Sequence, residues 1–281
     1  MFESPLVRKL IDLALEEDSA LHDITAEITV REGHRSLGRV VARQELVVCG
    51  LDIVKEIAQA GGWDLQIRGQ REEGVVVRAE DTLVELSGST REILAAERTI
   101  LNFLQRLSGV ATFTRDFCGD VSGITILDTR KTLPGWRLLD KYAVRVGGGS
   151  NHRASLSDMI LVKNNHIDAH PAGIRGALTD AAAKRPLSLP WEVEVRSLEE
   201  LKIAIEFAPT IIMLDNFSDT LLPEAVKLVR AAPGRILVEV SGGVSKTRLE
   251  VIKGAGVDAV SVGALTTQAP NVDISMRVSN L

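Results

Sequence analysis

Between Asp128 and Lys163 the chain concentrates side chains suited to gripping anions. Arg130, Lys131, Arg137, Lys141, Arg145 and Arg153 lie there with His152, and up to Arg153 only Asp128 and Asp140 oppose them. In a chain of net charge −5 this is a focused positive field. The planar arginine fork meets a carboxylate or phosphate with two parallel hydrogen bonds, so the chemistry implied is capture of such groups. Arg137 and Lys141 fit a solvated basic helix face. Arg130 and Lys131 fit that poorly, because they close an apolar run that reads as a buried strand. Gly147-Gly148-Gly149 come just before Asn151-His152-Arg153. Glycines reach positive φ and allow close backbone approach, so the run reads as a shaped pocket wall.

Further groups extend this set. Lys163 ends the apolar run MILV, where a lysine either binds an anion or is desolvated into a nucleophile. His166, three residues on, reads as structural. Glu194 and Asp215 end neighbouring strand-like runs. Two carboxylates there suit a hydrated Mg²⁺ beside substrate phosphates, or ribose hydroxyls, or an ion pair with Lys163 or Arg130. Glu192 alternates with Glu194 and shares its face, so only one of them need be functional. Ser241-Gly242-Gly243 and Ser261-Val262-Gly263-Ala264 end the last two runs. Backbone N–H groups freed by glycine cradle phosphate. No P-loop and no strand-borne G-x-G-x-x-G is present, which weighs against ATP and dinucleotide sites.

The elements that would carry these residues repeat one unit. Apolar, β-branched runs recur at 124–130, 158–165, 191–195, 210–216, 235–243 and 257–265. Such continuity is expected of strands buried on both faces. Amphipathic stretches at 197–208, 221–232 and 245–256 alternate with them, and Ser197 with Glu200 has capping-box spacing. Strand–helix alternation implies parallel βα units. Polar or glycine-rich groups end every strand, which is the habit of a barrel rather than an open sheet. Six strands are too few for a full barrel, so the expectation is an incomplete α/β (TIM-like) barrel. The first part differs. Strands are expected at 37–50, 64–69 and 75–86, with TAEITV (25–30) as a further candidate, and helices at 7–18, 51–62 and 93–109. The fold class is α/β, with an N-terminal α+β sandwich domain at 1–107, joined by the tail 267–281, and a catalytic barrel at 108–266.

Bulk properties agree. The 281 residues are 45% hydrophobic and 25% charged, ordinary values for a globular chain. The acidic balance argues against a nucleic-acid binder. Two cysteines, Cys49 and Cys118, cannot build a disulfide framework or a zinc set alone. The N-terminus lacks a signal-peptide apolar core, and no run is long enough to span a bilayer, so a cytoplasmic protein is expected.

Taken together, DTRKTLPGWRLLDKYAVRVGGGSNHR, SDMILVKNNHI, EVEV, IMLDN, EVSGG and GVDAVSVGALT closely resemble the quinolinate phosphoribosyltransferase family. ALEEDSALHDITAE, VVCG and AAERTILNFLQRLSGVAT extend the resemblance over nearly the whole chain. It implies transfer of a phosphoribosyl group from phosphoribosyl pyrophosphate to quinolinate with decarboxylation, using Mg²⁺. It also implies a homodimer in which Arg98 is donated across the interface. Thr129, Arg130, Lys131, His152, Arg153 and Lys163 match the quinolinate pocket. Glu194 and Asp215 match the acids near the ribose and Mg²⁺, and Lys131 and Lys163 join them as catalytic candidates. Ser241, Gly242 and Gly243, with Val262, Gly263 and Ala264, match the 5′-phosphate loops. The chain departs from the family pattern at His22, Ser155 and Asn164, the last where an acid is usual. Rival readings are a Schiff-base aldolase using Lys131 or Lys163, a repurposed homologue without this activity, and a transferase acting on nicotinate.

Overall fold

The structure is a computed structural model that describes residues 1–119 and 122–281. Its strands are β1 (Arg35–Ala42), β2 (Leu46–Val47), β3 (Gln66–Gln70), β4 (Val76–Val77), β5 (Thr82–Ser89) and β6 (Thr125–Leu127). They continue with β7 (Ile160–Val162), β8 (Trp191–Val195), β9 (Ile211–Asp215), β10 (Leu237–Ser241), β11 (Ala259–Ser261) and β12 (Ile274–Asn280). The helices are α1 (Pro5–Glu17), α2 (Ile24–Thr29), α3 (Ile53–Gly61), α4 (Thr90–Cys118), α5 (Arg137–Val146) and α6 (Asn164–Ala169). After them come α7 (Gly173–Lys184), α8 (Leu198–Glu206), α9 (Leu222–Arg230), α10 (Leu249–Gly254) and α11 (Ala264–Thr267).

Contacts divide the chain into two compact units. One comprises Met1–Phe117, Lys131–Gly148 and Ala264–Leu281; the other comprises Cys118–Arg130 and Gly149–Gly263. The division expected at 107/108 falls inside α4, a continuous helix, and the 131–148 segment belongs to the first unit.

In the first unit an antiparallel sheet runs β12-β1-β5-β3, so the C-terminal tail forms its edge. Helix α4 buries Ile93, Ile100, Leu104 and Leu107, and Gly38 of β1 admits the Ile93 side chain. Ring stacking of Phe103 on Trp136 at 4.8 Å fastens the 131–148 segment to α4. Arg106 adds a buried clamp. It pairs with Asp140 at 3.0 Å and donates to the Thr266 carbonyl at 2.6 Å, while the Thr266 hydroxyl donates to the Lys131 carbonyl at 2.6 Å. Two expectations are corrected here. TAEITV is not a strand: Asp23 accepts from the Ala26 amide at 2.9 Å and caps α2, which leaves Ile24 and Ile28 exposed. Lys141 does not stand on a solvated face; it is 5% exposed, on the packed side of α5 with Leu139 and Val144.

The second unit holds the six expected strands, in the order β6-β11-β10-β9-β8-β7, all parallel. That order is the sequence order wound round: β11 returns to pair with β6, and among the described residues β6 and β7 are not paired with each other. The ring is an incomplete barrel. Ser150 fills the outer edge of β6 by a single bridge to Leu127. One face of the sheet carries Val193, Val195, Ile212, Leu214, Val238, Val240 and Val260, each wholly buried. The other face is polar. Register places Glu194, Met213 and Glu239 in one row, with Asp215, Ser241 and Ser261 in the row above. The sheet thus alternates apolar and acidic, where continuous hydrophobicity led us to expect two apolar faces.

Candidate active site

Because the strands are parallel, their C-terminal ends gather Arg130, Lys163, Asp215, the Ser241-Gly242-Gly243 loop and the Val262-Gly263 step at one edge of the second unit. Glu194 lies within β8, one row lower. Lys131, Ala264 and Arg98 belong to the first unit. There, Arg98 is exposed on α4 and lines a groove with Leu10, Leu13, Asn102 and Trp136.

Asp128 organises the edge. Its carboxylate is wholly buried and accepts from the His152 amide at 2.8 Å and from Asn151 Nδ2 at 2.7 Å. The Gly147-Gly148-Gly149 run makes this return possible: Gly148 has φ +94°, and a Cβ on Gly147 would strike the Ala111 carbonyl. Along the sequence Asp128 reads as an acid opposing the cations; in the fold it is the latch of the pocket wall.

Arg130 and Arg153 face each other electrically. The Arg153 guanidinium is held below the usual arginine range by burial, then by the Arg130 charge, with Glu192 and Asp158 pulling the other way. Arg153 Nη1 donates to the Met159 carbonyl at 3.0 Å. Arg130 Nε is buried with no hydrogen-bond partner among the described residues. Two like charges and a buried donor lacking a partner are costly unless an anion joins them.

Lys163 pairs with Glu194 at 2.9 Å, so its amine is held across the strands without the acid missing at Asn164. His166 is structural, as expected: its Nδ1 accepts from the Lys163 amide at 2.9 Å. Ser155, the other departure nearby, donates to Asp158 at 2.5 Å and orders the 154–158 turn. Asp215 accepts from Asn216 Nδ2 at 3.0 Å. As oxygen donors on one sheet face, Glu194 and Asp215 fit a hard divalent cation of the Mg²⁺ kind.

The glycine loop after β10 is tightly built. Gly242 and Gly243 have φ of +88° and +59°, and a Cβ on Gly242 would strike the Asn216 carboxamide. Arg248 bonds the Gly242 carbonyl at 2.8 Å, the Phe217 carbonyl at 2.6 Å and Asp219 at 2.6 Å, tying the β9 and β10 loops together. Sequence reasoning placed Arg248 only on a helix, since its partners are backbone atoms that no spacing reveals.

Beneath the edge, Glu192 and Glu239 are 0% and 1% exposed, beside His152. Burial first, and then the Glu192 charge, push the Glu239 carboxyl up to about 7; His152, Ser261 and Lys163 pull the other way. Glu239 was not singled out from the sequence, because one acid within an apolar run carries no spacing signal.

Two family models cover the chain: "Quinolinate phosphoribosyl transferase, N-terminal domain" matches residues 23–108, and the C-terminal domain of the same family matches 110–277. Among curated relatives, the carboxylating nicotinate-nucleotide pyrophosphorylase of Mycobacterium leprae is 39% identical over 98% of each chain. A probable enzyme of that name from Bacillus subtilis is 36% identical over 97% of this chain and 93% of its own. The solved nicotinate-nucleotide pyrophosphorylase of Francisella tularensis superposes with a TM-score of 0.89 at 40% identity, covering 98% of this chain and 96% of its own.

A raised Glu239 pKa has a consequence for stability. The carboxyl favours the folded state fully below its unfolded value of 4.5, and that contribution is lost as pH rises through about 7. Melting curves should therefore show Glu239→Gln gaining on the wild type between pH 5 and pH 8, by some 2–4 °C in Tm for each ~1 kcal/mol relieved. A Tm difference that stays flat across this range would contradict the assignment. By sequence, structure and the arrangement of these residues, the chain belongs to the quinolinate phosphoribosyl transferase family.

Proposed function

We propose that the chain catalyses the reaction of its family: quinolinate and phosphoribosyl pyrophosphate give nicotinate mononucleotide, pyrophosphate and CO₂, a step of de novo NAD biosynthesis. The observation that carries this reading is Arg130, whose buried Nε lacks a partner among the described residues and whose charge, added to burial, lowers the pKa of the part-buried Arg153 guanidinium. Quinolinate is a dianion whose two carboxylates match such a pair.

In this reading Arg130 and Arg153 hold the carboxylates and aim the ring nitrogen at the anomeric carbon, with Thr129, His152 and Lys163 around them. The Ser241-Gly242-Gly243 loop offers backbone N–H groups to the 5′-phosphate, and the resemblance assigns Val262, Gly263 and Ala264 there too, although the Val262 N–H is already donated to the Leu127 carbonyl at 2.9 Å. Glu194 and Asp215 face the ribose and would hold Mg²⁺, directly or through water. When bound, that ion neutralises charge on the departing pyrophosphate. Preorganised charge supports an oxocarbenium-like transition state as the pyrophosphate leaves. Lys131 joins this set by the resemblance. N-glycosylation makes the pyridine nitrogen cationic, so the carbanion left when the 2-carboxylate departs as CO₂ sits beside a positive charge until it takes up a proton from solvent. No covalent bond to Lys163 is needed; its amine is already paired with Glu194.

The proposal includes a cytoplasmic homodimer with Arg98 donated to the partner's site. No described helix is long and apolar enough to cross a membrane.

Incubation with quinolinate labelled in the 2-carboxylate, phosphoribosyl pyrophosphate and Mg²⁺ should release labelled CO₂. Arg130→Ala and Lys163→Ala should each lower turnover by about two orders of magnitude or more while the melting curve stays cooperative. Absence of CO₂ from the wild type, or near-normal turnover in the folded variants, would overturn the reading. For the shared site, Arg98→Ala alone should be inactive, and mixing it with Lys163→Ala should restore up to about a quarter of wild-type activity as subunits exchange. Mixtures that stay inactive after proven exchange would refute donation by Arg98.

A further inference from the structure

Arg248 has no part in the steps above, yet it is the most heavily committed side chain around the loop after β10. It is 17% exposed, and each of its three guanidinium nitrogens has its own acceptor. Nε donates to Asp219 at 2.6 Å, Nη1 to the Gly242 carbonyl at 2.8 Å and Nη2 to the Phe217 carbonyl at 2.6 Å. Only the planar arginine fork spans three such partners; a lysine has one nitrogen. The Gly242 contact has a consequence for the next residue. The Gly242–Gly243 peptide is trans, so its C=O and N–H point in opposite directions. Arg248 holds the carbonyl on its own side, and the Gly243 N–H therefore faces away from it. That N–H donates to no acceptor among the described residues. Positive φ at both Gly242 and Gly243 gives the loop a turn of the kind that aims N–H groups at an anion. Arg248 itself stands on the carbonyl side with its nitrogens taken, so it is not a direct phosphate ligand.

The same side chain joins this loop to the acid on the neighbouring strand. Phe217 and Asp219 follow β9, whose last residue is Asp215. Between them Asn216, at φ +57°, donates its backbone N–H to the Ser241 carbonyl at 2.9 Å and its Nδ2 to Asp215 at 3.0 Å. Its carboxamide occupies the space that a Cβ on Gly242 would need. We infer that Arg248 is a positioning residue: it pins the β9 and β10 loops together, turns the Gly243 N–H toward the 5′-phosphate, and fixes the distance from that N–H to Asp215. A ribosyl donor is then gauged at two points, its phosphate at the glycine loop and its hydroxyls at Asp215. Without the guanidinium the Gly242 peptide is free to rotate, and the N–H is no longer held ready for the anion. This inference rests on the phosphoribosyl-transfer reading and adds to it a residue that touches no substrate.

The test is binding by the full-length protein of nicotinate mononucleotide and of nicotinate riboside, which lacks only the 5′-phosphate. The wild type should bind the mononucleotide at least about a hundred-fold more tightly. Arg248→Gln should cut that preference about ten-fold while leaving the riboside affinity within about two-fold. In turnover it should raise KM for phosphoribosyl pyrophosphate about ten-fold and leave KM for quinolinate within about two-fold. Arg248→Lys keeps the charge on one nitrogen and should recover only part of the preference; it also decides the matter should Arg248→Gln not fold. Wild-type preference in Arg248→Gln, equal loss of both ligands, or full recovery by lysine, which would assign the effect to charge alone, would each overturn the inference while the phosphate reading stood. A wild type that does not favour the mononucleotide over the riboside would sink the phosphate reading itself, and the inference with it.

Discussion

A carboxylate taken out of water must find a partner, and the polar face of the second unit's sheet carries several. Asp128, Glu192, Glu194 and Glu239 are all buried. Left unpaired, each would cost several kcal/mol, comparable with the whole margin of stability of a domain. Two of them find partners in the site: Lys163 answers Glu194, and the Asn151 side chain with the His152 amide answers Asp128. Glu192 and Glu239 lie 3.1 and 3.6 Å from the His152 ring with no hydrogen bond among the described residues, and burial with the Glu192 charge raises the Glu239 carboxyl instead. The pocket wall is therefore not a loop laid over a finished barrel. It is the part of the chain that makes an acidic barrel interior tolerable.

The same constraint explains the cations. The glycine run lets residues 149–151 return along the open edge of β6, where a further strand would otherwise pair. That return delivers Arg153 toward Arg130, against their mutual repulsion. The Asp128 latch and the packed apolar face behind the sheet hold the loop in place while Arg153 feels the Arg130 charge. An anionic substrate then gains charge-assisted hydrogen bonds from groups that have already lost their water and their freedom, which is how preorganised sites bind and orient.

How much of this was legible in the sequence follows from range. Six strands of the barrel were readable because their apolar runs are local and regular, and the mouth residues because each closes such a run. The capping role of Ser197, which accepts from the Glu200 amide at 3.2 Å, was readable for the same reason. TAEITV misled, since its apolar residues mimic a strand and the Asp23 cap outweighs them. Lys141 misled because burial depends on what packs on α5, not on the helix itself. Asp128, Glu239 and Arg248 were invisible as functional parts. Asp128 is met by the returning 151–152 loop, Arg248 by Asp219 and the Phe217 and Gly242 carbonyls, and Glu239 shares a row with Glu194 only through the register of β8 to β10, so no local pattern shows any of the three. The division of the chain was half legible: the C-terminal strand does join the first sheet, but nothing local shows that 131–148 packs with α4.

The central claim is that two preorganised guanidiniums select a dicarboxylate. Calorimetric titration of the wild type with quinolinate and, separately, with nicotinate tests it most directly, because the two ligands differ by the one carboxylate in question. The account predicts quinolinate binding at least about ten-fold tighter, with the advantage shrinking as salt is raised. Equal affinities, or a preference for nicotinate, would contradict it.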